Sequence, residues 1–171
     1  MKIQKPFRYF GSKGRFYSEI KEIFIQSKKN TYIDLFAGGM EVAVNLKEDF
    51  KNIKVIANVK DEHIESFLKC NKMTINRYKE FARFLYKDIE KITVKELYID
   101  KKLWAEIKRR YKKFRKDNTL NFKNDEIRMV ELFASLNNGA SLSNSFYSSA
   151  KIEKIKVYLD KLKNIEIMHN Y

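Results

Sequence analysis

The chain is poor in the residues that crosslink and punctuate a fold. One of its 171 residues is cysteine, Cys70, and one is proline, Pro6. A lone cysteine excludes an intramolecular disulfide. With only two histidines beside it, it also excludes a zinc site of ordinary spacing, and no other metal site is expected. Such sparse cysteine usage fits a cytoplasmic location. The N-terminus, MKIQKPFRYF, has no apolar core and does not read as a signal peptide. No apolar run approaches the roughly 20 residues a membrane span needs, so no membrane partner is expected. Acids are outnumbered as well: 36 Lys and Arg stand against 22 Asp and Glu, a net charge of +14. That excess points to a polyanionic partner, most simply nucleic acid.

What is present is enough for a core. Hydrophobic residues make up 44% and charged residues 34%, the balance of one ordinary domain, with room for a small insertion. Phe16, Ile20, Ile23 and Phe24 recur at helical spacing. Residues 32–36 read as a buried strand, 40–47 as a short helix and 53–58 as a second strand. A helix with Ile64, Phe67 and Leu68 on one side follows. Strand, helix, strand, helix in this order opens a βαβ unit with parallel strands. From about residue 74 the pattern turns helical. Ile75, Tyr78, Phe81, Ala82 and Leu85 form one stripe, and Leu103, Ile107, Tyr111 and Phe114 another. Met129, Phe133 and Leu136 lie on one face of a third. Thr93 and Glu96 suit a capping box. Residues 137–149, NNGASLSNSFYSS, read as a loop. Ile152, Ile155, Leu159 and Leu162 make a last amphipathic helix, and residues 164–171 offer a final short strand.

Two segments carry candidate chemistry. In YIDLFAGGMEVAVNL, residues 32–46, an acid ends the strand and Ala37-Gly38-Gly39 follows. Such a turn lets backbone approach a ligand, and the next helix offers its free N–H groups. The full GxGxxG fingerprint is absent, so the turn alone is also readable as a plain strand–helix connection. In RYFGSKGRFYSEI, residues 8–20, two glycines flank Lys13 and aim it at a carboxylate or phosphate. A third segment, residues 108–116, interleaves Tyr111 and Phe114 with Lys108, Arg109, Arg110, Lys112, Lys113, Arg115 and Lys116. The two aromatics continue the Leu103–Ile107 stripe and should face inward. The cations are then expected to face DNA phosphates or an acidic protein partner. The bland alternative is a solvated helix whose lysine stems cover apolar surface. His63 and His169 show no partner in sequence.

In combination, Tyr9-Phe10-Gly11-Ser12-Lys13 and Asp34-Leu35-Phe36-Ala37-Gly38-Gly39 resemble the Dam-like, D12 class adenine-N6 DNA methyltransferases, closest to their short phage branch. Residues 55–58, VIAN, resemble the end of that family's second strand, and residues 129–137, MVELFASLN, a segment of its helical insertion. The resemblance implies an α/β fold, an incomplete Rossmann-like methyltransferase sheet with a helical insertion. Residues 1–73 would form the platform, 74–150 the insertion and 151–171 a return helix and strand. It also implies that Tyr9, Gly11 and Lys13 border S-adenosylmethionine, and that Asp34, Phe36, Ala37 and Gly38 hold it.

Three departures alter the expectation. The family's ribose-binding acid is matched here by Val59, with Asp61 two positions on. Its Gly-x-x-Arg-x-Asn hairpin, which reads DNA, has no counterpart: no Arg or Lys stands between Asn137 and Ala150. Its Asp-Pro-Pro-Tyr motif is not found, since the only proline is Pro6. The resulting expectation is a catalytically inactive methyltransferase-like protein, with no or weak S-adenosylmethionine binding. It would act by binding DNA or a protein of the host's DNA-handling or defence machinery, as a phage-type inhibitor would. The alternative is a S-adenosylmethionine-dependent adenine-N6 DNA methyltransferase, as a subunit completed by a second chain or as a fragment. An open sheet edge after Ile167 would then dock that chain or a second copy.

Overall fold

A computed structural model describes residues 3, 12–69, 72–86, 101–136, 141–142 and 149–169. A 3-10 turn at Lys13–Phe16 leads into α1, Tyr17–Ser27, which ends where Lys28 turns left-handed at φ 53°. Strand β1, Thr31–Asp34, is followed by α2, Glu41–Asp49, and β2, Lys54–Asn58. Next come α3, Glu62–Leu68, and α4, Lys72–Tyr86. Helix α5, Lys101–Asp117, precedes α6, Asn124–Ala134. A minimal antiparallel ladder joins β3, Ser135–Leu136, to β4, Ser141–Leu142. Helix α7, Ser149–Leu162, returns the chain to β5, Glu166–Met168.

The main sheet is parallel, in the order β1-β2-β5, with Tyr32 beside Val55 and Ala57 beside Ile167. This is the mixed α/β, partial Rossmann-like arrangement expected from the sequence. Successive side chains of a strand point to opposite faces. Tyr32, Asp34, Val55, Ala57 and Ile167 therefore share one face, and they pack into the core. Thr31, Ile33, Lys54, Ile56, Asn58, Glu166 and Met168 share the other, and none of them is buried.

That asymmetry corrects the reading of 32–36 as a buried strand. Ile33 is 54% exposed, Leu35 62% and Phe36 83%. An apolar run marks a parallel strand as buried only when both faces are covered. The α1 stripe also differs. Phe24 is buried and packs edge-on against Tyr32, while Ile23 is 66% exposed. Tyr17, Ile20 and Phe24, not Phe16 and Ile23, form the inward row.

The other helices follow their apolar periods. Tyr78, Phe81, Ala82 and Leu85 of α4 meet Ile107, Tyr111 and Phe114 of α5, with Phe81 and Phe114 rings 4.8 Å apart. Asn118 closes the α5–α6 turn by bracketing Phe122: its Nδ2 donates to Phe122 O at 2.7 Å, and its Oδ1 accepts from Phe122 N at 2.8 Å. Asp61 caps α3 by accepting from the amides of His63 and Ile64. The predicted capping box at Thr93 and Glu96, and most of the 137–149 loop, lie outside the described residues. Among the described residues no helix is long and apolar enough to cross a membrane.

Candidate cofactor turn and cationic helix

The glycine turn is held from three sides. Ala37 N–H donates to Asn58 O at 3.1 Å and Met40 N–H to Ala37 O at 2.7 Å. From α7 the buried Tyr158 hydroxyl donates to Gly39 O at 2.6 Å. Gly38 takes φ 50°, a left-handed conformation that glycine adopts without steric cost. Met40 takes φ 57° as the N-cap of α2, and its burial in the core holds it there.

Asp34, 4% exposed, is the electrostatic centre of this turn. Lys13 Nζ lies 2.5 Å from Asp34 Oδ1 and donates also to Phe36 O. Phe36 N–H donates to the same Asp34 oxygen at 3.2 Å, and Tyr32 OH reaches Asp34 Oδ2 at 3.5 Å. Burial, then the Asp34 charge and this hydrogen bond, push the Tyr32 phenol well above its ordinary range. Lys13 thus finds a carboxylate, one belonging to the protein. Its turn is seated on α2: Ser12 Oγ donates to Glu41 Oε2 at 2.8 Å, and a Cβ on Gly14 would fall 2.4 Å from the Glu41 carboxylate. Asn45 pins Ile3 through both backbone groups, at 2.7 and 2.8 Å. Lys13, Asp34, Phe36, Ala37 and Gly38 are therefore gathered at one place. Tyr9 and Gly11 lie outside the described residues.

The residue aligned with the family's ribose-binding acid is buried. Val59 is fully buried and its N–H donates to Met168 O at 3.0 Å. A side chain at 59 points into the core and presents nothing to the turn, whatever its chemistry. Asn58, one residue earlier, is the polar group at the end of β2, and its Nδ2 donates to Leu35 O at 3.2 Å. Asp61 is engaged as the α3 cap.

On α5 the apolar stripe is inward, as the spacing requires, and the seven cations separate into two groups. Arg109 and Arg110 both bond Glu106, whose pKa falls to about 2 through those two hydrogen bonds. Arg110 also donates to Leu85 O, and Arg115 pairs with Glu131 at 2.9 Å. Lys108 lies over the Trp104 ring, 5.2 Å from its centre. Lys112, Lys113 and Lys116 are exposed.

His63, without a partner in sequence, has two in space. Its Nε2 is 3.4 Å from Glu131 Oε2 and its Nδ1 3.7 Å from Asp61 Oδ1. With Arg115 on the other Glu131 oxygen, the node ties α3, α5 and α6 together. Glu131, Asn45 and Tyr158 were missed in sequence. Glu131 and Asn45 had a signal: each is a lone polar residue inside an apolar helical run. Tyr158 continues the Ile155–Leu162 face at helical spacing. Among the described residues, no group of three or more His, Cys, Asp or Glu is placed to hold a metal.

The D12 class N6 adenine-specific DNA methyltransferase profile matches residues 9–169. The chain belongs to that family. The match spans both the glycine turn and the helical segments. No curated protein matches the chain. The family normally uses S-adenosylmethionine and acts on DNA. The backbone of the Gly38 turn fits such a cofactor, since a left-handed glycine leaves room for close approach. Strand β2 ends on an amide, Asn58, and not on a carboxylate.

Proposed function

We propose that this chain does not transfer methyl groups on its own, and that it acts by binding, with DNA as the first partner and S-adenosylmethionine bound weakly or not at all. The observation that carries the reading is the orientation of α5. Ile107, Tyr111 and Phe114 are buried, so the lysines between them face outward. Lys108, Lys112 and Lys116 recur every four residues and stack along one side of the helix, the arrangement of a phosphate track.

Support for weak cofactor binding comes from the turn itself. Asp34 is already neutralised by Lys13, so an incoming ammonium has to share or displace that cation. Asn58 can bond a ribose hydroxyl, but without the charge that makes a carboxylate–hydroxyl bond strong. Residues 9–169, the span that matches the family, contain no Asp-Pro-Pro-Tyr sequence. A protein of the host's DNA-handling or defence machinery, with an acidic surface, would engage the same lysines.

Titration of labelled duplex DNA, followed by fluorescence anisotropy over a salt series, tests the reading. Binding should weaken with salt with a log–log slope of about −0.9 per phosphate contacted. The triple variant Lys112→Glu, Lys113→Glu, Lys116→Glu should reduce that slope by roughly two to three and show no sequence preference lost. No DNA binding at low salt, or binding unchanged in the triple variant, overturns the DNA reading. Methyl incorporation into DNA by this chain alone overturns the non-catalytic one.

A second reading is favoured by one separate observation, the exposed apolar residues Ile33, Leu35 and Phe36 at β1 and its turn. It is that of a S-adenosylmethionine-dependent adenine-N6 methyltransferase subunit completed by another chain.

A further inference from the structure

Helix α7 carries more apolar surface than the core takes up. Ile155, Tyr158 and Leu162 are buried. Leu159 lies one residue beyond that row and is only half-buried. Lys156 precedes it by three residues and Lys163 follows by four, so the three share one side of the chain's last helical turns. Helix α4 repeats the pattern: Ile75 is half-buried, and Lys79 stands four residues on, above it on the same side. Between these two sides, the end of α3 and strand β5 lies a cavity of about 750 Å³. Its apolar lining is wholly aliphatic, made by Leu68, Ile75, Leu159, Leu162 and Ile167.

The charged part of the lining is mostly positive. Lys79, Lys156 and Lys163 stand there with one acid, Asp160. Asp160 is held by Lys163 at 2.9 Å, and Lys156 is held by Glu153 at 2.6 Å. Both are exposed pairs within one helix end, a kind that contributes little and yields readily to a competing anion. Lys79 differs from them. It is half-buried, and among the described residues no acid pairs with it. Its neighbour in sequence, Glu80, is occupied by Arg77.

A volume of this size is that of a small-molecule site, typically about 300–1,000 Å³. The lining decides the class of molecule. Among the described residues no aromatic ring borders the cavity, so a nucleobase finds nothing to stack on. Three lysines against one acid that already has a partner turn away a cation. An anion on a hydrocarbon chain satisfies both parts. We propose that the cavity between α3, α4, α7 and β5 binds a free medium-chain aliphatic carboxylate, its chain against Leu68, Ile75, Leu159 and Ile167 and its head on the Lys79 ammonium. The site shares no residue with the glycine turn, and its three lysines lie outside α5, so it is independent of DNA binding.

The test uses the full chain, with leucine and isoleucine methyl groups labelled for NMR, and sodium decanoate as probe at concentrations too low for micelles. Shifts should concentrate at Leu68, Ile75, Leu159 and Ile167. Acetate should leave these methyls unmoved, and from hexanoate to decanoate the affinity should rise by up to about fourfold per methylene. Lys79→Met should weaken decanoate binding about tenfold, the worth of one charge-assisted hydrogen bond, and leave decanol binding unchanged. Leu159→Gln should weaken both probes. Lys29→Met, which removes the same charge from an exposed lysine outside the cavity, should weaken neither. Circular dichroism checks that the variants fold. Shifts spread over the whole basic surface, an affinity that ignores chain length, or decanoate binding intact in Lys79→Met would each overturn the proposal. So would Overhauser contacts, before any probe is added, between the cavity methyls and another segment of the chain that fills the space. Shifts produced by vesicles of anionic phospholipid but not by decanoate would assign the cavity to a membrane acyl chain and overturn the free acid as its ligand.

Discussion

The ammonium of Lys13 lies 2.5 Å from the Asp34 carboxylate and bridges two segments separated by the whole of α1. The pair fixes the N-terminal turn over the end of β1, and it is the protein's own answer to a nearly buried charge. Lys13→Ala leaves Asp34 with an amide and a distant phenol. Because Lys13 is about a third exposed, solvent limits the loss to about 1–2 kcal/mol. Urea unfolding should show a lower midpoint with an unchanged slope. An unaltered midpoint would mean that the pair is not formed in solution.

Gly14 and Glu41 give a second local test. An added Cβ at Gly14 meets the Glu41 carboxylate, which must swing away from Ser12. Gly14→Ala should therefore cost about 1 kcal/mol, the value of one hydrogen bond. In a Glu41→Ala background the same substitution has nothing to displace and should be nearly neutral, or stabilising by a few tenths of a kcal/mol. Thermal unfolding of the four proteins gives the coupling directly. Additive effects would exclude the close approach.

How far these contacts were legible in sequence depends on the range of the force involved. Helical periods found α4, α5 and α7, because Tyr78, Phe81 and Leu85, or Tyr111 and Phe114, report burial on one face of the element that carries them. The turn at Asp34–Gly39 was legible because glycine and an acid at a strand end are local signals. What failed was anything set by a neighbour outside the element. Residues 32–36 are apolar enough for a buried strand, yet no described residue covers Ile33. Val59 was aligned with a ligand-facing acid, but a side chain's face alternates with each residue, and one step separates Asn58 at the turn from Val59 in the core. His63 looked solitary because Glu131 is 68 residues away.

Tyr17, Tyr32 and Tyr158 should resist alkaline titration. Burial raises the pKa of Tyr158, with the Glu41 charge adding to it. Burial does the same at Tyr17 and Tyr32, helped by Asp49 and Asp34 respectively. A folded pKa above the unfolded value near 10 means stability that is fully present below about pH 10 and lost as pH rises toward the folded value. Phenolate absorbance should therefore rise in at least two stages: exposed tyrosines first, then a later group that includes these three, together with loss of helical signal. Tyr158→Phe should shift that unfolding to higher pH while costing about 1 kcal/mol near neutrality, through the lost bond to Gly39 O. A single smooth titration with structure retained would contradict the burial of all three.

The adjacent pair Asn58 and Val59 separates the two accounts of the cofactor turn. If the ligand's ribose lies beside Asn58, Asn58→Asp supplies the missing charge and should tighten S-adenosylmethionine binding about tenfold, the 1.4 kcal/mol of one strengthened hydrogen bond. Val59→Asp should do no such thing. It places a carboxylate among Ile64, Phe67 and the other residues of the core, and unpaired burial of a charge should cost at least about 3 kcal/mol of stability. Calorimetric titration and chemical unfolding on both variants give four numbers. Tighter binding in Asn58→Asp with normal stability, and lost stability without tighter binding in Val59→Asp, is the expected pattern. The reverse pattern would return the ribose position to residue 59 and require β2 to end one residue later than Asn58.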